Sequence, residues 1–227
     1  MITCEEIYDL HTTGALESAL CEAYREIPLD SRNSMRKNDT PLHMACAFAD
    51  ENAVRILLER GADVNVRNDD GDTPLCVLAK RKCCGKETTI AGIAGLLVSK
   101  EARVPRSGKN TTALIEAVGN RHFLMADILL MSGCRIDSTN SNGNNVLHVI
   151  CQSAGDIAYD IKRTKERIAD FSERWYSEKD KREAYENMEY LEEADRQCFL
   201  TAKRILENGQ IDTEDKNNIG KTALDIA

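Results

Sequence analysis

The phrase Thr40-Pro41-Leu42-His43-Met44-Ala45 returns along this 227-residue chain as Thr73-Pro74-Leu75-Cys76, Thr112-Ala113-Leu114, Asn145-Val146-Leu147-His148 and Thr222-Ala223-Leu224. Thr40 to Thr73 and Thr112 to Asn145 are each 33 residues apart, a period that fits one unit of two helices and a hairpin turn. A unit of that size buries its apolar face only by stacking on its neighbours. The chain is therefore constrained to grow by addition around one continuous core, and to present a long surface in place of an enclosed pocket. What it holds becomes the functional question, ahead of which reaction it catalyses.

Each residue of the phrase has a physical job. Thr40 and Thr73 cap a first helix by accepting an orphan backbone N–H, and Pro41 and Pro74 fall in its first turn, where a missing N–H costs nothing. Leu42, Leu75, Leu114, Leu147 and Leu224 point into the stack. A second helix follows over Ala53 to Arg60, and Gly61 supplies the left-handed residue that ends it; Gly133 stands at the same 21-residue offset from Thr112. Beyond each stop, runs such as Asp63-Val64-Asn65 and Asn68-Asp69-Asp70-Gly71 read as a hairpin finger.

On these residues, with Leu57 to Asn65 and Gly71 to Leu75, the chain resembles the ankyrin-repeat family from about Leu10 to its last residue. The resemblance implies an all-α fold, an ankyrin-repeat solenoid of stacked helix-turn-helix units with short hairpin fingers, as a single domain over residues 1–227. Residues 1–34 form a degenerate capping repeat without the Thr-Pro start. Residues 35–67 form a full repeat, 68–106 a repeat with a short insertion at 82–89, and 107–139 a further repeat. Residues 140–216 form a repeat with a helical insertion at about 152–195, and 217–227 start one more, incomplete repeat. Half a unit exposes apolar surface, so the expectation is that the natural chain continues or was trimmed there.

Two spacings break the period: Thr73 to Thr112 is 39 residues and Asn145 to Thr222 is 77. Family geometry puts both surpluses between the helices of their units, on the edge opposite the fingers. The longer one has no proline, a single glycine at Gly155 and dense mixed charge, but Ile157, Ile161, Ile168, Phe171 and Trp175 recur with helical spacing, as do Tyr185, Met188, Leu191, Cys198, Ala202 and Ile205. We read an antiparallel helical hairpin turning near Ser177-Glu178-Lys179-Asp180, with Ser177 capping the second helix and an inner seam of Ile161, Ile168, Phe171, Tyr185, Met188 and Leu191. Each helix is expected to be about 30 Å long, and the second to run directly into Ala202-Lys203-Arg204-Ile205-Leu206.

Composition excludes several classes of function. Charged residues are 30% of the chain and the net charge is −8, with Lys and Arg scattered, which argues against a nucleic-acid partner. No apolar run reaches membrane-spanning length, and Met1-Ile2-Thr3-Cys4-Glu5-Glu6 opens with acid where a secretory signal carries positive charge. The nine cysteines are odd in number and never spaced as Cys-x-x-Cys, a pattern of reduced thiols in a cytoplasmic protein. Cys83-Cys84 with Cys76 are soft metal ligands in type, but no His or acid completes a recognisable spacing, so no metal and no cofactor are expected. His43 with Cys46, and His148 with Cys151, imitate a Cys-His nucleophile pair. They occupy the same two repeat positions, however, and the resemblance implies a structural His that hydrogen-bonds between neighbouring loops. No phosphate loop or paired-carboxylate motif appears, and the expectation is a non-enzyme.

In ankyrin-repeat proteins the partner lies in the concave groove lined by finger tips and first helices. The tip residues here are Arg36, Lys37 and Asp39, then Asp69, Asp70 and Asp72, then Lys109 and Thr111, then Asn142 and Asn144; the inner-helix positions are Met44, Phe48, Val77, Lys80, Arg81, Glu116 and Val149. Phe48 is the aromatic candidate for an anchor, and the insertion adds Trp175 and Tyr176. The chain is thus read as a monomeric, noncatalytic protein–protein interaction scaffold, binding through the groove and the helical insertion. The alternative is an inhibitor or immunity-type protein that occludes a partner enzyme. A ligand-responsive enzyme would need a catalytic segment beyond Ala227.

Overall fold

Local sequence signals set where the helices begin. In the computed structural model, which describes residues 2–82, 86–102, 113–169, 177–207 and 212–226, Thr3 opens α1 (Cys4–Thr12) with a capping box shared with Glu6, the device that satisfies two orphan donors at once. The degenerate first unit therefore replaces the lost Thr-Pro start with a cap of another kind. Thr40 precedes α3 (Pro41–Phe48), Asp50 accepts from Ala53 N–H at 2.9 Å ahead of α4 (Glu51–Glu59), and Thr73 accepts from Cys76 N–H ahead of α5 (Pro74–Ala79). Gly61 and Gly133 follow α4 and α8 (Phe123–Met131) at φ +86° and +76°, as the stop signals require.

The chain divides into two compact units, Met1–Cys134 and Arg135–Ala227. In the first, α1, α3, α5 and α7 (Ala113–Gly119) pack in sequence as an inner row, and α2 (Glu17–Glu26), α4, α6 (Glu87–Ser99) and α8 as an outer row. Leu42, Leu75 and Leu114 are fully buried between the rows, with Ile7, Tyr24, Leu57, Ile93, Leu97 and Phe123. Arg60, at the end of α4, donates to the carbonyls of Tyr24 and Ile27 at 2.6 and 2.7 Å. Those carbonyls end α2, so one guanidinium satisfies orphan acceptors of the neighbouring unit. Glu87, Thr88 and Thr89, expected within the short insertion at 82–89, open α6. That helix has 13 residues against nine in α4 and α8, so part of the six-residue surplus lengthens a helix. Cys83 and Cys84 lie outside the described residues.

In the second unit two long helices stand where the insertion is expected. α9 (Val146–Ala169) starts on the repeat phrase and continues for 24 residues, and α10 (Glu178–Glu207) spans 30. These lengths are about 36 and 45 Å at the usual rise per residue, longer than the periodicity suggested. Ser177 and Asp180 close a reciprocal cap at the start of α10. The two helices pack on each other through Ile157 and Thr164 on one side and Ala184, Met188, Leu191, Ala194, Cys198, Thr201 and Ile205 on the other. Tyr185, expected in this seam, is 58% exposed, while Ala184 takes the inward position; a small residue lets the helices approach more closely than a ring would. Ile161 and Ile168 are half-buried, and Phe171 lies outside the described residues. Leu147 is buried but Leu224 is 75% exposed. Residues 224–226 make a turn and no described helix covers Leu224. The seven described cysteines carry free thiols, and no described helix is long and apolar enough to cross a membrane.

Leu191→Ala is expected to cost about 2–4 kcal/mol through the cavity it leaves, read as lost hydrogen-exchange protection in both α9 and α10. Tyr159→Ala, at a position 66% exposed, is expected to stay within about 0.5 kcal/mol.

Candidate partner-binding groove

The fingers are built on asparagine. Asn68 N–H donates to Asp72 O, Gly71 N–H donates back to Asn68 O, and the Asn68 side-chain oxygen accepts from the N–H groups of Asp70 and Asp72. Asn140 with Gly143, and Asn217 with Gly220, repeat this pattern bond for bond. The glycines take φ +77°, +74° and +78°. At Gly143 a side chain would also strike the Asn218 backbone nitrogen, 2.9 Å away. The side-chain amide then reaches the preceding finger: Asn68 Nδ2 donates to Asp39 Oδ1 at 2.8 Å, and Asn217 Nδ2 to Asn144 Oδ1 at 2.9 Å. Sequence reasoning missed this ladder. Its signal was present, since Asn68, Asn140 and Asn217 each stand five residues before Thr73, Asn145 and Thr222.

A second rung runs through histidine. His43 Nδ1 accepts from Thr40 N–H at 3.2 Å, and its Nε2 contacts Asp72 O at 3.0 Å. A carbonyl only accepts, so the proton sits on Nε2. His148 shares the second contact, its Nε2 lying 3.0 Å from Lys221 O, while its Nδ1 lies 2.6 Å from Asn145 Oδ1, and His122 Nε2 bonds Arg81 O at 2.7 Å. The structural role implied by the resemblance is what these distances describe. Both His43 nitrogens are occupied, and burial pushes the Cys46 thiol far above its ordinary value. The pair therefore cannot act as base and thiolate nucleophile. Among the described residues, no three His, Cys, Asp or Glu side chains gather as a metal site.

Within the first unit, finger and inner-helix residues enclose a cleft of about 630 Å³, lined by Tyr8, Met35, Ala47 and Val77 together with Arg36, Lys37, Asp70, Lys80 and Arg81. Five of the candidate residues thus meet at one place. Asp39 and Asp72 also border the cleft but are only 7% and 4% exposed. Asp39 accepts from Asn68, and Asp72 from Lys80 Nζ at 2.5 Å, so neither is the open tip charge expected of it. Burial works against the Lys80 ammonium, but the hydrogen bond and field of Asp72, with a contribution from Glu116, more than offset it and raise its pKa. Lys37 pairs with Asp70, and Asn38 with Asp69, across adjacent fingers. Phe48, expected as a free anchor, stacks on His11 at 4.1 Å and 7° and tilts against Tyr8 at 5.6 Å; it joins α3 to α1. Met44 and Val149, expected in the groove wall, are 1% and 8% exposed. In the second unit, Asn142 is exposed at its finger and Asn144 is buried against Asn217. Lys109, Thr111, Trp175 and Tyr176 lie outside the described residues.

Two rows of short helices joined by hydrogen-bonded fingers define a stacked helical-repeat protein. Residues 37–69 match the model of the family described as Ankyrin repeat. Among curated proteins the chain is similar to an ankyrin repeat-containing protein of Schizosaccharomyces pombe, 34% identical over 68 residues that make up 27% of this chain and 33% of that protein. It is also similar to the phosphocholine transferase AnkX of Legionella pneumophila, 26% identical over 201 residues, 83% of this chain and 20% of that protein. The chain spans about a third and a fifth of the lengths of these relatives. The chain carries an ankyrin repeat at residues 37–69, and repeats of this family generally mediate protein–protein interaction.

Burial holds His43, His11 and His122 below the ordinary imidazole value of 6.5. Folded, each takes up a proton less readily than unfolded. Their contribution to stability is therefore complete above about pH 6.5 and is lost as pH falls from there. The urea midpoint is expected to drop between pH 7.5 and pH 5. His43→Ala is expected to cost about 1–3 kcal/mol at pH 7.5 by orphaning buried groups, and to make the midpoint less dependent on pH.

Proposed function

We propose that the chain is a noncatalytic protein-interaction module that takes a segment of a partner protein into the cleft of the first unit. The observation that carries this reading is the meeting of Arg36, Lys37, Asp70, Lys80 and Arg81 with exposed Met35 around one opening of about 630 Å³. The opening combines apolar floor with charged rim, the anatomy of a protein-recognition site. Its walls are tied together by Lys37–Asp70 and Lys80–Asp72, which favours a preformed site over one assembled on binding. The net charge of −8 supports a protein over a nucleic-acid partner. Free thiols at the seven described cysteines support a reducing, cytoplasmic setting. We read the module as a monomer whose α9–α10 hairpin is an auxiliary surface.

The similarity to a phosphocholine transferase over 201 residues favours a second reading, in which a module of this kind accompanies a group-transfer activity and presents the protein to be modified. Both readings place recognition, not chemistry, in the residues described here.

A photo-crosslinking amino acid at position 35 is expected to capture a partner in cells, and one at position 159 to capture none. Adducts at position 159 alone would move the binding surface to α9 and α10. The partner captured by the chain alone is expected to carry no added phosphocholine by mass spectrometry; added phosphocholine would overturn the noncatalytic part of the proposal.

A further inference from the structure

Resting on the cleft proposed above as the binding site, we infer the chemistry of its occupant: an acidic segment of a partner protein, whose carboxylates are taken by Arg36 and Arg81 while apolar neighbours rest against Met35, Tyr8 and Val77. The inference comes from sorting the charges around the opening by what already satisfies them. Asp70 is held by Lys37, Asp72 by Lys80, and Asp39 by the Asn68 amide. Two cations remain. Among the described residues neither Arg36 nor Arg81 has a carboxylate partner within ion-pair distance.

Each arginine is nevertheless held in place by a contact that leaves donors open. The Arg36 guanidinium lies over the Tyr8 ring at 4.7 Å. A guanidinium held over a ring by its charge needs none of its N–H groups for that contact, which leaves them for a two-pronged bond to a carboxylate. Arg81 donates one Nη1 hydrogen to the carbonyl of Ala47, while its Nε is buried without a hydrogen-bond partner. A buried donor left unmade is costly, so the Arg81 guanidinium, which lines the cleft, is incompletely bonded within the protein. The two groups approach from different elements: Arg36 from the first finger, and Arg81 from just beyond the end of α5. A segment bearing acids and extended across the cleft meets both.

The apolar half of the surface fits the same occupant. Met35 is 84% exposed beside Arg36, and a flexible thioether adapts to varied aliphatic side chains. A purely anionic ligand would leave it unused. The cleft is also a local cationic opening in a chain of net charge −8, so steering toward it is selective: the rest of the surface repels the same acidic segment.

The test pans a random dodecapeptide display library on the full 227-residue chain and measures the selected synthetic peptides by fluorescence anisotropy. Selected peptides are expected to be enriched in Asp and Glu beside aliphatic residues, and to weaken as salt rises. Arg36→Gln is expected to raise their Kd at least tenfold with an unchanged melting temperature, since its side chain is exposed. Arg81→Lys keeps the charge but loses the forked geometry, and is expected to weaken them severalfold. Met35→Glu serves as the separate control on the site itself. If Met35→Glu abolishes binding while the arginine variants leave it unchanged, the cleft stands and the acidic class is wrong. If Met35→Glu has no effect, peptides bind elsewhere and the underlying proposal fails as well. Tighter binding of a single-stranded RNA oligonucleotide than of any selected peptide, lost in Arg36→Gln, would overturn the assignment to a protein segment.

Discussion

Stacking identical units fixes apolar contacts easily; the harder requirement is that the polar backbone between them be satisfied at every joint. Here the joint is a pair of buried links, Asn68 to Asp39 and His43 to the Asp72 carbonyl, recurring as Asn217 to Asn144 and His148 to the Lys221 carbonyl. A buried orphan costs about 1–3 kcal/mol, whereas an exposed ion pair such as Lys37–Asp70 contributes at most about 1 kcal/mol. The links, not the surface charges, therefore decide the register of one finger on the next. Leucine packing tolerates small shifts. Asn68 must meet Asp39 while its own oxygen closes the turn behind it, and that admits one alignment.

The second unit shows what the same repeat tolerates away from its fingers. The extra length of α9 and α10 lies away from the fingers, and the Asn140 and Asn217 turns keep the hydrogen bonds of the Asn68 turn. A long two-helix extension must still bury a seam to hold together. It does so with small and slender residues, Ala184, Ala194, Thr164 and Thr201 among Ile157, Met188 and Leu191, the composition that lets two helices run close.

What the sequence disclosed follows this division. The repeat phrase located the helix starts, Gly61 and Gly133 the stops, and Ser177 the cap of α10, because each is a local signal read from a few neighbouring residues. The seam was read with one residue out of register at Tyr185, because helical periodicity marks a face whose width leaves adjacent positions undecided; Ala184 won on size. The groove was half legible. Arg36, Lys37, Asp70, Lys80 and Arg81 were placed by repeat position, but Asp39 looks identical to an open tip acid until Asn68, five residues before the next phrase, is seen to claim it, and Asp72 until Lys80 is. Tyr8 comes from the degenerate first unit, where no phrase fixes the frame, and no local signal points to it.

The first finger departs from the others in a way that packing does not demand. The other described tips use glycine at φ near +75°, whereas this one places Lys37 and Asn38 at φ +56° each. For a lysine, the left-handed conformation costs roughly 1–2 kcal/mol, and the exposed pair with Asp70 offsets at most part of it. A glycine tip would be cheaper and would close the turn equally well. It would also remove a side chain from the rim of the cleft and shorten the loop that carries Met35 and Arg36. Strain retained at a site where a relaxed alternative exists points to selection on what the strained residues present. By that reasoning the Met35-Arg36-Lys37 tip is where the proposed recognition surface departs from the other described fingers, while Asn68, His43 and the buried leucines hold the stack itself.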